Sequence, residues 1–252
     1  MIDETFVHSS VVCFGEVSIG ASSFIGPGTV IYGPALIGDH VYIGANSVIG
    51  AAAEDASSDT TESLIAWSHS GVETNICIKS LERREKNPKD RVVIGSHTII
   101  RESCTIHSGI GKPTLIGKHC FIHSRSGIDH DCNLEDRVVL APGVTLAGNV
   151  SLGTNCQIGL GAGVHQGVSV GPYAMVGMQA AVVRDCPPLG LCKGVPARVS
   201  GANTVRLKRW GLSDKIIAQL SEAVLEGRSL PFHLLPKDKS EIIEAWLNRL
   251  DG

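Results

Sequence analysis

From Val7 onward every sixth residue is large and apolar: Val7, Cys13, Ile19, Ile25, Ile31, Ile37, Ile43 and Ile49. The register returns at Ile94, Ile100 and Ile106, skips four residues, and then runs unbroken from Ile116 through Ile122, Ile128 and Leu134 to Val182. Glycine often follows the apolar residue, as at Gly20, Gly44, Gly117 and Gly159, and the fifth position of each hexad is small or β-branched, as at Ser23, Thr29, Cys132 and Val150. A six-residue period of this kind predicts a parallel β-helix. Each coil is a triangle of three short strands, a large and a small side chain alternate into the lumen, and glycine permits the corners. One coil takes about 18 residues, so residues that far apart stack on one another. Cys104, Cys120, Cys132 and Cys156 occupy the small inward position, which makes them buried small hydrophobes.

Two departures divide the chain. Residues 51–91 lose the hexad and change composition, from the acidic AAAEDASSDTTES to the charged KSLERREKNPKDR, with Trp67, His69 and Ile76-Cys77-Ile78 between. An insertion of this length in a solenoid is expected to project as a loop and cover a neighbouring site. Ser108–Thr114 forms a second, smaller loop. The solenoid is expected to end near Val183, because Cys186-Pro187-Pro188 cannot continue a strand. Beyond it, Ser213 reads as an N-cap for a helix with Ile216, Ile217, Leu220, Val224 and Leu225 at helical spacing, stopped by Gly227. A second amphipathic helix runs from about Ser240 to Leu250. The organisation is therefore a β-helix over 1–200, interrupted at 51–91, and a small α-helical domain over 201–252 that covers the open end.

Composition sharpens this picture in three places. The 29 glycines against only 4% aromatic residues leave a core built from small and branched side chains, as the repeat requires. A net charge of −3 gives no basic footprint for nucleic acid. No apolar run approaches the roughly 18 residues of a membrane span, and the N-terminus is unlike a signal peptide. Eight cysteines without such a signal, and without a CxxC pair, predict reduced thiols in a cytoplasmic protein.

Most polar residues of such a solenoid face solvent, so chemistry requires several reactive groups on one edge. Adding 18 to His130 gives Gly148 and then Gln166. Asp131 stacks with Asn149, and His165 lies beside Gln166. The repeat alone thus gathers His130, Asp131, Gly148, Asn149, His165 and Gln166. An imidazole near neutrality can take a proton from an attacking hydroxyl or amine, and an adjacent carboxylate can orient it. The Gly148 N–H can hold a developing oxyanion, so the set suits acyl transfer.

At these residues the sequence resembles the UDP-N-acetylglucosamine O-acyltransferases of lipid A biosynthesis. The likeness is carried by IRESCTIH (100–107), HDC (130–132), LAGNV (146–150), GAGVHQ (161–166), MVG (175–177), CPP (186–188) and LKRWG (207–211). It implies an all-β, left-handed parallel β-helix with a small helical C-terminal domain, assembled as a homotrimer with sites between subunits. It implies an acyl thioester donor on acyl carrier protein or coenzyme A, a nucleotide-sugar acceptor, and no bound metal or cofactor. By position His130 matches the catalytic base, Asp131 its orienting partner and Gly148 the oxyanion donor. Asn149, His165, Gln166, Asn203 and Arg209 match substrate-binding positions. Met178 falls at the acyl-length ruler, where a bulky residue favours a shorter chain.

The sequence departs from that family at its acceptor contacts. A histidine three before the base is Gly127, the histidine of LAGH is Asn149, a glutamate near the nucleotide is Val205, and the second arginine of LKRRG is Trp210. The acceptor-binding segment before IRE is replaced by the insertion. The chain therefore reads as an acyltransferase acting on a hydroxyl or amine of a nucleotide-linked sugar. Three alternatives stand beside it: the UDP-N-acetylglucosamine 3-O-acyltransferase itself; a trimeric zinc enzyme of the carbonic anhydrase type using His107, His123 and His165; and a non-catalytic scaffold. The cations Lys193, Arg198, Arg206, Lys208 and Arg209 are placed to meet a carrier protein or a nucleotide.

Overall fold

A computed structural model describes residues 4–53, 75–78 and 92–250. Strands of mostly two to four residues each pair in parallel with the strand one coil on, and three sheets result. The faces are named here from their first strands, Phe6–Val7 (face A), Val12–Phe14 (face B) and Glu16–Ile19 (face C). The described residues complete eight coils of a left-handed β-helix. Beyond the skip the step is 18 residues, as in Gly127↔Thr145↔Gly163. Across the skip it is 22, Thr105 pairing with Gly127.

The hexad explains the packing. Its large residues, Ile19, Ile25, Ile31 and Ile122 among them, are wholly buried in one continuous core. Truncating one to alanine is expected to cost roughly 2–5 kcal/mol. The small inward residue has a second duty that its size alone does not reveal. Thr29 Oγ1 donates to Gly44 O at 3.1 Å, Thr98 Oγ1 to Gly117 O at 2.8 Å, and Cys132 Sγ to Ala147 O at 3.2 Å. A buried donor is thereby paired with a corner carbonyl of the next coil, which keeps it from being a buried unsatisfied group. Corners are turned by left-handed residues, including His40, Asn46, His97, His119, Asp131 and Asn149, with φ between 55° and 62°. Asn, Asp and His tolerate that region better than other side chains.

At the C-terminal end face B stops at Val182, close to where the sequence places the end, yet Cys186 still bridges to Val170 on face C. Gly190–Gly194 then adds to face A and turns back antiparallel against Ala197–Ala202. Cys186 and Cys192 form a disulfide, Cα–Cα 6.3 Å. This corrects the expectation that all the thiols are reduced: the Pro187-Pro188 turn brings these two together inside the last coil. Cys13, Cys104, Cys120, Cys132 and Cys156 are free and buried. Burial pushes the Cys120 and Cys132 thiols up to about 12, so they remain protonated packing groups.

Three helices follow: α1 Thr204–Arg209, α2 Asp214–Leu225 and α3 Lys237–Leu250. Ser213 caps α2 as the sequence predicts, its Oγ accepting from the Ile216 N–H at 3.4 Å. Tyr173, Leu189, Leu207, Ile217, Leu220 and Ile243 form a second core where α2 lies on the last two strands, so the helices cover the end of the coil. Within the 51–91 insertion, Asn75–Ile78 adds a parallel strand to the outer edge of face C, beside Glu16–Ile19. Trp67, His69 and the rest of the expected projecting loop lie outside the described residues.

Candidate active site

The reactive groups collect on the edge between faces B and C. His130 follows Gly127–Ile128 and sits at the corner of the fifth coil. Its Nδ1 lies 2.7 Å from Asp131 Oδ2. Asp131 is itself 5% exposed, and its other oxygen accepts three consecutive backbone N–H groups, from Ile110 at 3.1 Å, Gly111 at 3.0 Å and Lys112 at 2.7 Å. These belong to the four-residue excess of the preceding coil, which makes the small loop a socket for the carboxylate. Burial alone would raise the Asp131 pKa. The bonds from His130, Lys112 and Gly111 outweigh it and hold the carboxyl below its ordinary value. Asp131 is thus ionised at neutral pH and can only accept, so the neutral His130 ring carries its proton on Nδ1 and its lone pair on Nε2.

Gly148 stands directly above. A Cβ at that position would lie 2.4 Å from His130 Nε2, so only glycine leaves room for the ring. On the edge between faces C and A the corresponding corner N–H groups are taken by carboxylates: Ala21 by Asp39 at 2.7 Å, Lys118 by Asp136 at 2.8 Å, Thr154 by Glu135 at 2.9 Å. Among the described residues the Gly148 N–H has no such acceptor. A basic nitrogen and an uncommitted N–H therefore meet at one point of the surface. Asn149 donates its backbone N–H to His130 O at 2.9 Å and exposes its side chain. His165 and Gln166, one coil further on, are exposed, with His165 Nδ1 3.3 Å from Gln166 O.

The other residues singled out by sequence lie elsewhere. Met178, 70% exposed, is on the edge between faces A and B, directly above Leu160. Asn203 is buried, and both ends of its amide are used within the subunit: Oδ1 caps α1 by accepting from Arg206 N–H at 3.2 Å, and Nδ2 donates to Tyr173 O at 3.0 Å. Arg209 is exposed at the end of α1. Trp210 packs edge-on to Tyr173, ring centroids 4.9 Å apart, and serves the second core. Of the three histidines weighed for zinc, His107 and His165 are on the B–C edge, whereas His123 follows Phe121–Ile122 on the A–B edge. They do not converge within one subunit.

One pair escaped the sequence reading. His107 Nδ1 lies 3.0 Å from Asp129 Oδ1, and the same oxygen accepts the His130 backbone N–H at 2.8 Å. The signal was available in the skip, because counting 22 residues instead of 18 puts Asp129 over His107.

Comparison with known proteins agrees with this architecture. The family described as bacterial transferase hexapeptide (six repeats) matches residues 16–51 and 113–148, and the hexapeptide repeat of succinyl-transferase matches 149–182. The acyl-(acyl-carrier-protein)-UDP-N-acetylglucosamine O-acyltransferase of Gloeothece citriformis is 34% identical over 161 residues, 63% of this chain and 57% of that protein. Its counterpart from Burkholderia thailandensis is 30% identical over 169 residues, 65% and 64% of the two chains. The chain thus spans 57% and 64% of the length of these two curated relatives. Among solved structures, the UDP-N-acetylglucosamine O-acyltransferase of Moraxella catarrhalis is 26% identical with a TM-score of 0.59, covering 97% of this chain and 95% of its own. The Campylobacter jejuni UDP-N-acetylglucosamine acyltransferase, 24% identical, shares the fold with a TM-score of 0.64, covering 94% and 93%. The repeat and the fold define a hexapeptide-repeat left-handed β-helix. Its sequence is similar to those of the UDP-N-acetylglucosamine O-acyltransferases over about two thirds of the chain.

Proposed function

We propose that the protein is an acyltransferase that moves an acyl group from a thioester, on acyl carrier protein or coenzyme A, to a hydroxyl or amine of a nucleotide-linked sugar. The observation that carries this reading is the meeting of His130 Nε2, freed by the Nδ1–Asp131 bond, with the N–H of Gly148. In the proposed step the acceptor O–H or N–H gives its proton to Nε2 as the oxygen or nitrogen attacks the thioester carbonyl carbon. The carbonyl oxygen gains charge and accepts from the Gly148 N–H. Collapse breaks the C–S bond, and the thiolate leaves with the proton from the imidazolium. The names of the relatives favour a second reading, O-acylation of UDP-N-acetylglucosamine itself. Gly127 and Asn149, where that family has histidines, favour a changed acceptor.

The proposal includes a cytoplasmic homotrimer. His130, Met178 and Asn203 lie on different edges of one subunit, and side-by-side packing would bring different edges together. Asn149, His165, Gln166 and Arg209 then contact the acceptor, and Met178 limits the acyl chain to short or medium length. Asn203 contributes by fixing the start of α1. Among the described residues no helix is long and apolar enough to cross a membrane. The test is a matrix of acyl carrier protein and coenzyme A thioesters against UDP- and dTDP-sugars, scored by mass spectrometry. A product that forms equally with His130→Ala defeats the general-base role.

A further inference from the structure

The base is held from two sides, and only one of them belongs to the reading above. Asp131 fixes the imidazole through Nδ1. Asp129 takes the backbone N–H of His130 at 2.8 Å, and the same oxygen lies 3.0 Å from Nδ1 of His107, one coil below. Both partners are largely shielded, their side chains 12% and 23% exposed. A carboxylate bonded to the backbone of its own neighbour is free to turn about its χ angles, and order comes from a second bond. His107 supplies that bond from a β-strand, Thr105–His107, whose backbone is locked into face B.

We infer that His107 and Asp129 are positioning residues for His130: they hold the main chain of the base in place while Asp131 and the 110–112 amides hold its ring. The inference rests on the acyl-transfer reading for its kinetic consequences, though not for its geometry. A near-attack arrangement is lost when a reacting atom shifts by about 1 Å, which costs on the order of 100-fold in rate. Loosening the backbone at residue 130 moves Nε2 relative to the Gly148 N–H without touching either. The loss belongs in kcat, because neither His107 nor Asp129 is asked to bind the acceptor.

The test compares His107→Ala, Asp129→Ala, His107→Asn and His107→Gln, with thermal midpoints measured alongside. The two alanine variants are expected to lose roughly tenfold to hundredfold in kcat, with KM for both substrates changed less than about twofold. The asparagine amide falls where the histidine Nδ1 was, so His107→Asn should recover to within a few-fold of wild type. The glutamine amide falls at the Nε2 position, so His107→Gln should not recover. Unchanged kcat in both alanine variants, a loss confined to KM, equal recovery by asparagine and glutamine, or a loss that follows the folded fraction would each overturn the inference. A substrate-free readout separates it from the functional reading: nitrogen-15 relaxation of the His130 backbone amide should report a rigid main chain in wild type and a mobile one in Asp129→Ala. If wild type transfers no acyl group yet the main chain loosens, the inference stands and the reading falls. If wild type transfers acyl groups and the main chain stays rigid in Asp129→Ala, the inference falls and the reading stands.

Discussion

Two edges of the same solenoid carry histidines, with opposite results. On the C–A edge His40, His97 and His119 are exposed and stacked, ring centroids 4.7 and 4.8 Å apart and planes within 11°. On the B–C edge His107 and His130 are each held by a carboxylate, and the ring of His130 lies on a glycine. A perfect repeat places like upon like, so its natural product is a ladder of identical side chains. Chemistry needs unlike groups to meet. That happens where the repeat is broken: the four-residue excess in the fourth coil supplies the amides for Asp131 and sets His107 under Asp129. The larger insertion leaves the coil after Val48–Ala51, on this same edge one coil earlier.

Substitutions at the two edges should have unequal effects. Asp131→Asn should fold normally, since asparagine tolerates the left-handed φ of 58° at this corner. The amide would offer a donor to Nδ1 and drive the proton to Nε2, so kcat should fall by roughly 100- to 10,000-fold. A fall below tenfold in steady-state assays would remove Asp131 from the account. Gly148→Ala places a methyl in the space of the ring and should lower kcat by about 100-fold with little change in melting temperature. Full activity there would mean that the ring does not occupy this position. His97→Gln in the ladder should leave acyl transfer within twofold of wild type, and a larger loss would erase the distinction between the edges.

Two pH effects sharpen it further. The folded pKa of Asp131 is depressed, so its contribution to stability is complete above the unfolded value near 4 and is lost as pH falls through the lower folded value. Acid unfolding followed by circular dichroism should therefore be less steep in Asp131→Asn below about pH 4. Desolvation first, and then the charges of His40 and His119, hold the His97 pKa down, while Asp39 opposes them and Lys118 adds to them. The contribution of neutral His97 is complete above the unfolded value near 6.5, and stability declines as pH falls through its lower folded value. His97→Gln should lessen the drop in melting temperature between about pH 7 and 5, by at most a few degrees because the rings are exposed. An identical drop in both proteins would leave the stack without energetic weight.

The solenoid, its inward residues and the column of His130, Gly148 and Gln166 are legible in the sequence because a period fixes neighbours without any knowledge of contacts. What the period cannot express is the effect of its own interruptions. The His107–Asp129 pair was hidden by four extra residues. The strand at Asn75–Ile78 carries no hexad to announce it, and the Cys186–Cys192 bond depends on how Pro187-Pro188 turns. Asn203 enters the sequence reading through family position alone, and its part as a helix cap and a donor to Tyr173 O is one that spacing does not encode.

The proposed acyl transfer runs through His130 on one edge of a repetitive scaffold. Its most direct measurement is the rate at which a thioester donor acylates a nucleotide sugar, wild type beside His130→Ala, with product identified by mass. The wild type is expected to form a new acylated nucleotide sugar, and the variant to do so at a rate at least about 100-fold lower. Equal rates from the two proteins, or no acylated product across the thioester and sugar matrix, would contradict it.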